Sequence, residues 1–352
     1  MENISNTVLW DCALKDVLKV LNNLLKDSGV STLLVLNNND QLVGTITDGD
    51  IRRAIIAGVS LDSEISSVMK RNFSFLKKDK FTLEDISQIR NKKIDLLPIL
   101  NENKNIVKVI NLNKIKTILP LSAIIMAGGE GKRLKPLTEN TPKPLLTIGD
   151  KPIMEHNIDR LIYFGISEIF ISINYLAEQI KTYFGDGSSK GVNIKYIKEQ
   201  KPLGTIGSVS LLDNIESEFL LISNSDLLTN IDYEDMFKAF LDKDADLIVA
   251  TTPYIVNVPF GIMEISSGDE ILGLKEKPTY TYYSNAGIYI IKKKYLYLMP
   301  KNTFWNATDL IETMISKQLN VRNYQILSYW LDIGNMNDYI KAKEDVKHIS
   351  FT

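Results

Sequence analysis

Residues 127–146 read AGGEGKRLKPLTENTPKPLL. An apolar run, Ala123 to Met126, leads into them and has the character of a short buried strand. Gly128, Gly129 and Gly131 therefore stand where a strand ends. There they let the backbone approach a ligand closely and aim its N–H groups at it. Arg133 and Lys143 add two positive charges beside the loop. A Gly-rich turn with paired cations is suited to a triphosphate. The loop is not a Walker A motif, because no Gly-Lys-Ser/Thr follows at the required spacing. It is not the dinucleotide fingerprint either, because Leu134 occupies the third glycine position.

Beyond the loop, strand-like and helical patterns alternate. Strands are expected at 122–127, 168–173, 194–198, 219–223 and 246–251, and helices at 152–164, 176–184, 205–213 and 233–243. This rhythm predicts an α/β domain with a mostly parallel sheet and helices on both faces. Ligands of such sheets bind beyond the carboxyl ends of the strands, where the Gly loop falls. The run Phe219 to Ile222 ends in Ser223-Asn224-Ser225-Asp226. Asp226, just past a strand end on the same sheet edge, can hold Mg²⁺ against phosphate oxygens; its competing role is to cap a following helix.

Before the loop, residues 1–119 contain a repeat at an offset of 64. Val30 to Asn37 aligns without gaps on Ile94 to Asn101, Leu42-Val43 on Ile106-Val107, and Ile51 on Ile115. Each half is expected to form an amphipathic helix, a strand, an Asn-rich turn, a second strand and a short helix. Leu14, Val17, Leu18, Leu21 and Leu25 mark the first helix. Neither half can bury its strands alone, so the two are expected to pack as a pseudo-symmetric pair. This arrangement resembles a CBS pair, an α+β module that often binds adenine nucleotides. The G-x-x-[ST]-x-x-D element of that family matches Gly44, Thr47 and Asp50. The resemblance implies that Thr47 and Asp50 contact ribose. In the second half Asn111 and Lys114 replace them, so at most one such site is intact. The competing reading makes Thr47 a helix cap and Asp50 a first-turn acid. Pro120 marks the boundary, ending the last helix of the repeat, and the second domain is expected to run from 121 to 352.

Composition narrows the function. The 352 residues suit two or three domains, and 44% apolar with 24% charged residues is the balance of a soluble globular chain. A net charge of −2 gives no electrostatic case for nucleic acid or anionic membrane as partner. The single Cys12 cannot form an internal disulfide, in keeping with a reducing cytoplasm. Met1 to Trp10 lack the basic flank and apolar core of a leader, and no stretch approaches the ~20 apolar residues of a membrane span. With only His156 and His348, a histidine triad or zinc site has almost no material, and His156 reads as structural.

The loop also resembles the signature of the sugar-1-phosphate nucleotidyltransferases, G-G-x-G-x-R-x-x-P-x-T followed by P-K-P. Gly128, Gly129, Gly131, Arg133, Pro136, Thr138, Pro142, Lys143 and Pro144 match it. Further matches follow in order: Glu199 to Thr205 resembles the base-and-sugar loop, Phe260-Gly261 an aromatic-Gly pair, Glu276-Lys277-Pro278 the E-K-P element, and Asn285 to Tyr289 the N-A-G-I-Y strand. Trp330 to Gly334 resembles a second metal motif, W-x-D-[IV]-G. A loop entering a helix and an exposed salt-bridged turn are the plain alternatives for Glu199–Thr205 and Glu276–Pro278.

The resemblance covers 121 to about 342 and implies an enzyme that makes an NDP-sugar and pyrophosphate from an NTP and a sugar 1-phosphate. It implies that Ala127, Gly128, Gly129, Gly131, Lys143, Glu199, Gly204 and Thr205 bind nucleotide. Gly261, Glu276, Lys277 and Asn285 would bind sugar. Asp226 and Asp332 would hold Mg²⁺, with Arg133, Lys143, Asp226 and Lys277 catalytic. The CBS pair ahead of such a domain is most like the glucosamine-1-phosphate guanylyltransferases of bacterial legionaminic acid biosynthesis, which implies GTP and glucosamine 1-phosphate. Mannose 1-phosphate or a heptose 1-phosphate with GTP is the near alternative, and UTP or CTP the further one. No second enzymatic module is expected after 352, and self-association of the CBS pair implies a homo-oligomer. A competing class is a non-catalytic adenine-nucleotide sensor with a degenerate large domain, against which the intact loop, both aspartates and Glu276-Lys277 argue.

Overall fold

The apolar runs that alternate with helical patterns after residue 121 become one seven-stranded sheet. The computed structural model describes residues 6–78, 80–349 and Phe351; Met1 to Ser5, on which part of the leader expectation rests, lie outside the described residues. The chain divides into two units, Met1–Ile118 and Leu119–Thr352.

In the first unit the strands are β1 (Thr7–Leu9), β2 (Thr32–Leu36), β3 (Leu42–Thr47), β4 (Leu76–Lys77), β5 (Leu96–Leu100) and β6 (Ile106–Asn111). The helices are α1 (Leu14–Ser28), α2 (Asp48–Ile56) and α3 (Leu83–Arg90). Two three-stranded sheets result, β1-β2-β3 and β4-β5-β6. Positions related by the offset of 64 meet across the unit: Ser31 donates its hydroxyl to Asp95 at 2.6 Å, and Gln41 bridges Asn105. Leu14, Val17 and Leu21 are buried as the helical spacing predicts, whereas Leu25 is exposed. The second half departs from expectation in lacking its closing helix, so no helix precedes Pro120. The reason lies in the caps. Thr47 and Asp50 close a reciprocal capping box on α2. Lys114 stands at the matching place of the second half and puts a cation where a helix start favours an acid.

In the second unit the sheet runs β11 (Asn193–Lys198), β10 (Glu168–Ile173), β7 (Ser122–Ala127), β12 (Phe219–Asn224), β17 (Thr279–Lys292), β14 (Leu247–Asn257) and β18 (Val321–Gln325). The pairs are parallel except where β17 lies antiparallel to β12 and β14. Five helices accompany it: α4 (Ile153–Tyr163), α5 (Ala177–Phe184), α6 (Tyr233–Asp242), α7 (Ala307–Ser316) and α8 (Met336–Asp345). Three short pairings complete the unit: β8 (Thr147–Ile148) with β9 (Lys151–Pro152), β13 (Leu227–Thr229) with β19 (Trp330–Asp332), and β15 (Ile262–Ile265) with β16 (Ile271–Lys275). Ile124, Ile125, Leu220 and Ile222 are at most 1% exposed, which the continuous apolar runs of a sheet covered on both faces require.

Two expectations are corrected. β14 does not stop at 251 but runs on to Asn257. The helix expected at 205–213 is a five-residue 3₁₀ turn, Gly207–Leu211. The backbone at Trp305 diverts groups that a helix would pair internally: the Leu203 carbonyl accepts from the Trp305 amide at 2.9 Å, and the Ile206 amide donates to the Trp305 carbonyl at 3.1 Å. Gly207 allows the close crossing, since a Cβ on it would lie 2.5 Å from the Thr303 carbonyl oxygen.

Candidate active site

β7 ends at Ala127, and the chain turns through Gly128 and Gly129 at the carboxyl edge of the sheet. Gly131 has φ 63°, a conformation that favours glycine, and a Cβ there would lie 3.0 Å from the Lys143 Cβ, a contact to which Lys143 would have to yield. Thr138 ties the loop by donating its hydroxyl to the Gly131 carbonyl at 3.0 Å. Lys143 opens a short 3₁₀ turn and is 8% exposed, unusual for lysine; its ammonium pairs with the Asp226 carboxylate. Asp226 caps no helix: the cap of α6 is Asp232, and the chain after Asp226 enters β13 instead.

Pairing of β13 with β19 sets Leu227 opposite Asp332, and the Ile333 amide donates to the Asp226 carbonyl at 3.0 Å. Two carboxylates from segments about a hundred residues apart are thereby held as neighbours. Asp332 has an exposed edge, yet partial burial of its carboxylate, and then repulsion from Asp226, raise its pKa above the ordinary aspartate value. Lys143 and Arg133 oppose that shift. The Arg133 guanidinium lies over Gly334, in the turn following Asp332.

Glu199 lies across the cleft and is 7% exposed. Its carboxylate accepts from the Ser172 hydroxyl at 2.6 Å and the Leu203 amide at 3.2 Å. A Cβ on Gly128 would come within 2.9 Å of its Oε1, so glycine admits the acid to the loop. Gly204, at φ 78°, passes against the Trp305 carbonyl. The Thr205 amide donates to Asn306 at 3.3 Å, and the Thr205 hydroxyl accepts from the Ala307 amide at the start of α7. The Thr205 amide is therefore engaged with the start of α7.

The loop, Arg133, Lys143, Glu199, Gly204, Thr205 and Asp226 line one cavity of about 420 Å³, within the size range of nucleotide-sized ligand sites. A second, of about 320 Å³, shares Thr205 and Asn224 with it and is lined by Asn285, Tyr289 and Asp332. Gly261, Glu276 and Lys277 line neither cavity. They sit at the far end of the β14–β17 ribbon, where a Cβ on Gly261 would meet the Glu276 carboxylate at 2.9 Å. Sequence reasoning missed Asn224, Phe304 and Asn306, lone residues in unremarkable contexts that only the fold brings to the cleft. His156 is buried and bonded to the Ile148 carbonyl at 2.9 Å, a structural role.

Among the described residues no group of three or more His, Cys, Asp or Glu could hold a metal. Asp226 and Asp332 nevertheless fit Mg²⁺, which commonly takes one or two carboxylates and completes its shell with water and phosphate oxygens. In the first unit Asp50 is buried. Its carboxylate accepts from the Thr47 amide and hydroxyl at 3.0 and 2.6 Å and pairs with Arg53 and Lys70. Burial would raise its pKa, but these partners outweigh it and hold the acid below its ordinary value. Both residues proposed for ribose thus serve as a cap here.

A glycine loop, two cations and two carboxylates gathered at the carboxyl edge of an α/β sheet define a phosphate-handling cleft. The comparisons place the chain more closely. The nucleotidyl transferase family profile matches residues 122–348, and the chain belongs to that family. A CBS domain profile matches residues 12–57. A D-glycero-alpha-D-manno-heptose 1-phosphate guanylyltransferase of Aneurinibacillus thermoaerophilus is 32% identical over 233 residues, 65% of this chain and 99% of the relative. A glucose-1-phosphate thymidylyltransferase of Streptomyces griseus is 28% identical over 236 residues, 63% of this chain; the match spans 65% of that relative's length. A Bacillus anthracis structure assigned as a glucose-1-phosphate thymidylyltransferase shares the fold, with a TM-score of 0.54 at 23% identity over 66% of this chain and 97% of that one. No helix among the described residues is long and apolar enough to cross a membrane.

Proposed function

We propose that the chain transfers a guanylyl group from GTP to a sugar 1-phosphate, with glucosamine 1-phosphate as the acceptor, giving GDP-glucosamine and pyrophosphate. Residues 121–352 would form the catalytic domain and 1–119 a CBS pair. A phosphate oxygen of the sugar attacks the α-phosphorus in line, and the bond from that phosphorus to the β-phosphate oxygen breaks. The nucleophile is already anionic, so no general base is needed, and catalysis is positioning plus charge stabilisation. The Gly128–Gly131 backbone and Arg133 hold the β- and γ-phosphates. Lys143 leaves Asp226 to neutralise the α-phosphate. Asp226 and Asp332 hold Mg²⁺, which when bound supplies further neutralisation of the triphosphate. By the family resemblance Lys277 would receive the sugar phosphate and Glu276 the sugar, although both stand at the outer end of the β14–β17 ribbon and outside the two cavities.

One observation carries the choice of base: Glu199, a buried carboxylate against Gly128 in the larger cavity. A carboxylate only accepts, and each of its oxygens retains a lone pair beyond Ser172 and Leu203. Guanine offers adjacent N1–H and N2–H₂ donors to such a pair, whereas uracil and thymine place one N–H between two carbonyl oxygens. The sugar rests on the CBS–transferase fusion. A heptose 1-phosphate with GTP is the second reading, favoured by the Aneurinibacillus relative. Incubation with all NTPs and a panel of sugar 1-phosphates, read by mass spectrometry, tests both. A dominant UDP- or CDP-sugar overturns the base, and no pyrophosphate from any pair overturns the reaction.

A further inference from the structure

The two halves of the first unit are opposite in charge. Residues 1–69 hold five Lys and Arg against nine Asp and Glu, whereas residues 70–118 hold twelve against five, in a chain whose net charge is −2. A local surplus of that size marks a surface for an anionic partner. Four of the basic residues converge at one place. Lys77 closes β4, and Lys78 and Lys80 follow it. The Lys78 amide donates to the Leu100 carbonyl at 2.8 Å, which holds this run against the end of β5. Lys104 stands in the turn between β5 and β6 at φ 64°, the left-handed place that Asp40 takes at φ 58° in the matching turn of the first half. The turn is kept and its charge is reversed.

These four lysines and Phe75 line a cavity of about 580 Å³, within the size range of small-molecule sites. Among the described residues only Lys80 of the four has an acidic partner, Glu102 at 3.3 Å. Phe75 keeps 39% of its surface open, although the Phe73 ring packs against it with centroids 5.9 Å apart. We propose that this cavity binds a nucleoside polyphosphate, with the lysines on the phosphates and the base against the Phe75 ring. Lysine is a compact point charge suited to phosphate, and several ammoniums without partners call for contiguous phosphates rather than one monoanion. An open aromatic face stacks any base. The site is separate from the one that the CBS resemblance implies at Thr47 and Asp50. The two hairpins meet at their turns, where Gln41 bridges Asn105, while Thr47 ends β3 at its other end, roughly 16 Å away at a strand's rise. It also owes nothing to the reaction proposed for the second unit.

Photolabelling of the full chain with 8-azido-ATP tests it. The reactive group is on the base, so irradiation should modify the tryptic peptide Asn72–Lys77, which carries Phe75. Mapping by peptide separates this label from any attached around the glycine loop. Excess inorganic tripolyphosphate should displace it, since that anion supplies the phosphates without the base. Lys78→Glu with Lys104→Glu, both exposed and so compatible with folding, should lower labelling of the peptide at least tenfold with an unchanged circular dichroism spectrum. No label on Asn72–Lys77 in the wild-type protein, or a label there that survives tripolyphosphate or the charge reversal, overturns the proposal. Stronger displacement by a short single-stranded RNA than by tripolyphosphate also overturns it and makes this surface a nucleic-acid face.

Discussion

The Lys143 ammonium is seated on the Asp226 carboxylate, joining the glycine-loop region to the end of β12 across 83 residues of sequence. A cation proposed for the α-phosphate and a carboxylate proposed for magnesium thus neutralise each other when neither ligand is bound. On the proposed reading, binding of nucleotide with its metal would exchange this one ion pair for two others.

Lys143→Ala should leave the fold intact and lower turnover by about 10²–10³, the scale for losing one preorganised charge-stabilising group. Steady-state pyrophosphate release under saturating substrates measures it. Near-full activity would remove Lys143 from the proposed machinery.

Chelator should abolish activity and Mg²⁺ restore it. Asp226→Asn and Asp332→Asn should each be severely impaired, because a neutral amide is a weaker ligand for a hard cation. Robust turnover in either variant or in chelator would contradict the carboxylate pair.

The raised pKa of Asp332 gives a stability prediction with a definite sign. Its ionised form is penalised in the folded state, so above the folded pKa the carboxylate costs stability, and the cost fades as pH falls through that pKa toward the ordinary aspartate value. Asp332→Asn should therefore raise the metal-free melting temperature near neutral pH, with the gain shrinking in acid. Calorimetry at a series of pH values in chelator would show it, and a variant less stable than wild type at pH 7 would contradict the crowding of the two acids.

Glu199→Gln should erode the preference for GTP over UTP by about tenfold to a hundredfold, since an amide oxygen replaces one acceptor and an NH₂ opposes a guanine donor. Competition between the two nucleotides, read as the ratio of kcat/KM values, measures it. An unchanged ratio would assign base recognition elsewhere.

Asp50→Ala should destabilise the first unit by about 1 kcal/mol or more through loss of the capping box. If the first unit binds an adenine nucleotide through this residue, calorimetric binding should also disappear, while Lys114→Ala should keep it. Binding undiminished in Asp50→Ala would leave the cap as the residue's only role.

The sequence by itself determined the covalent order of chemistry along the chain. The apolar runs around Ile124, Phe170 and Leu221 are continuous because both faces of their strands are covered, so they could be read without knowing what covers them. The 64-residue repeat was equally legible in its helix, strand, turn and second strand, although the closing helix it predicts forms only in the first half.

Tertiary structure alone decided what depends on neighbours remote in sequence. The 3₁₀ turn at Gly207–Leu211 replaced a helix because the backbone at Thr303 to Trp305 crosses it, a contact roughly a hundred residues away. Asp226 and Asp332 became neighbours through a two-stranded pairing that neither segment announces. Gly128 proved to be the opening through which Glu199 reaches the loop. The β14–β17 ribbon was left bare because β12 stops pairing with β17 at Ile288 and β18 stops pairing with β14 at Thr251. Local pattern reports which face a residue prefers; only the folded chain reports what is there to meet it.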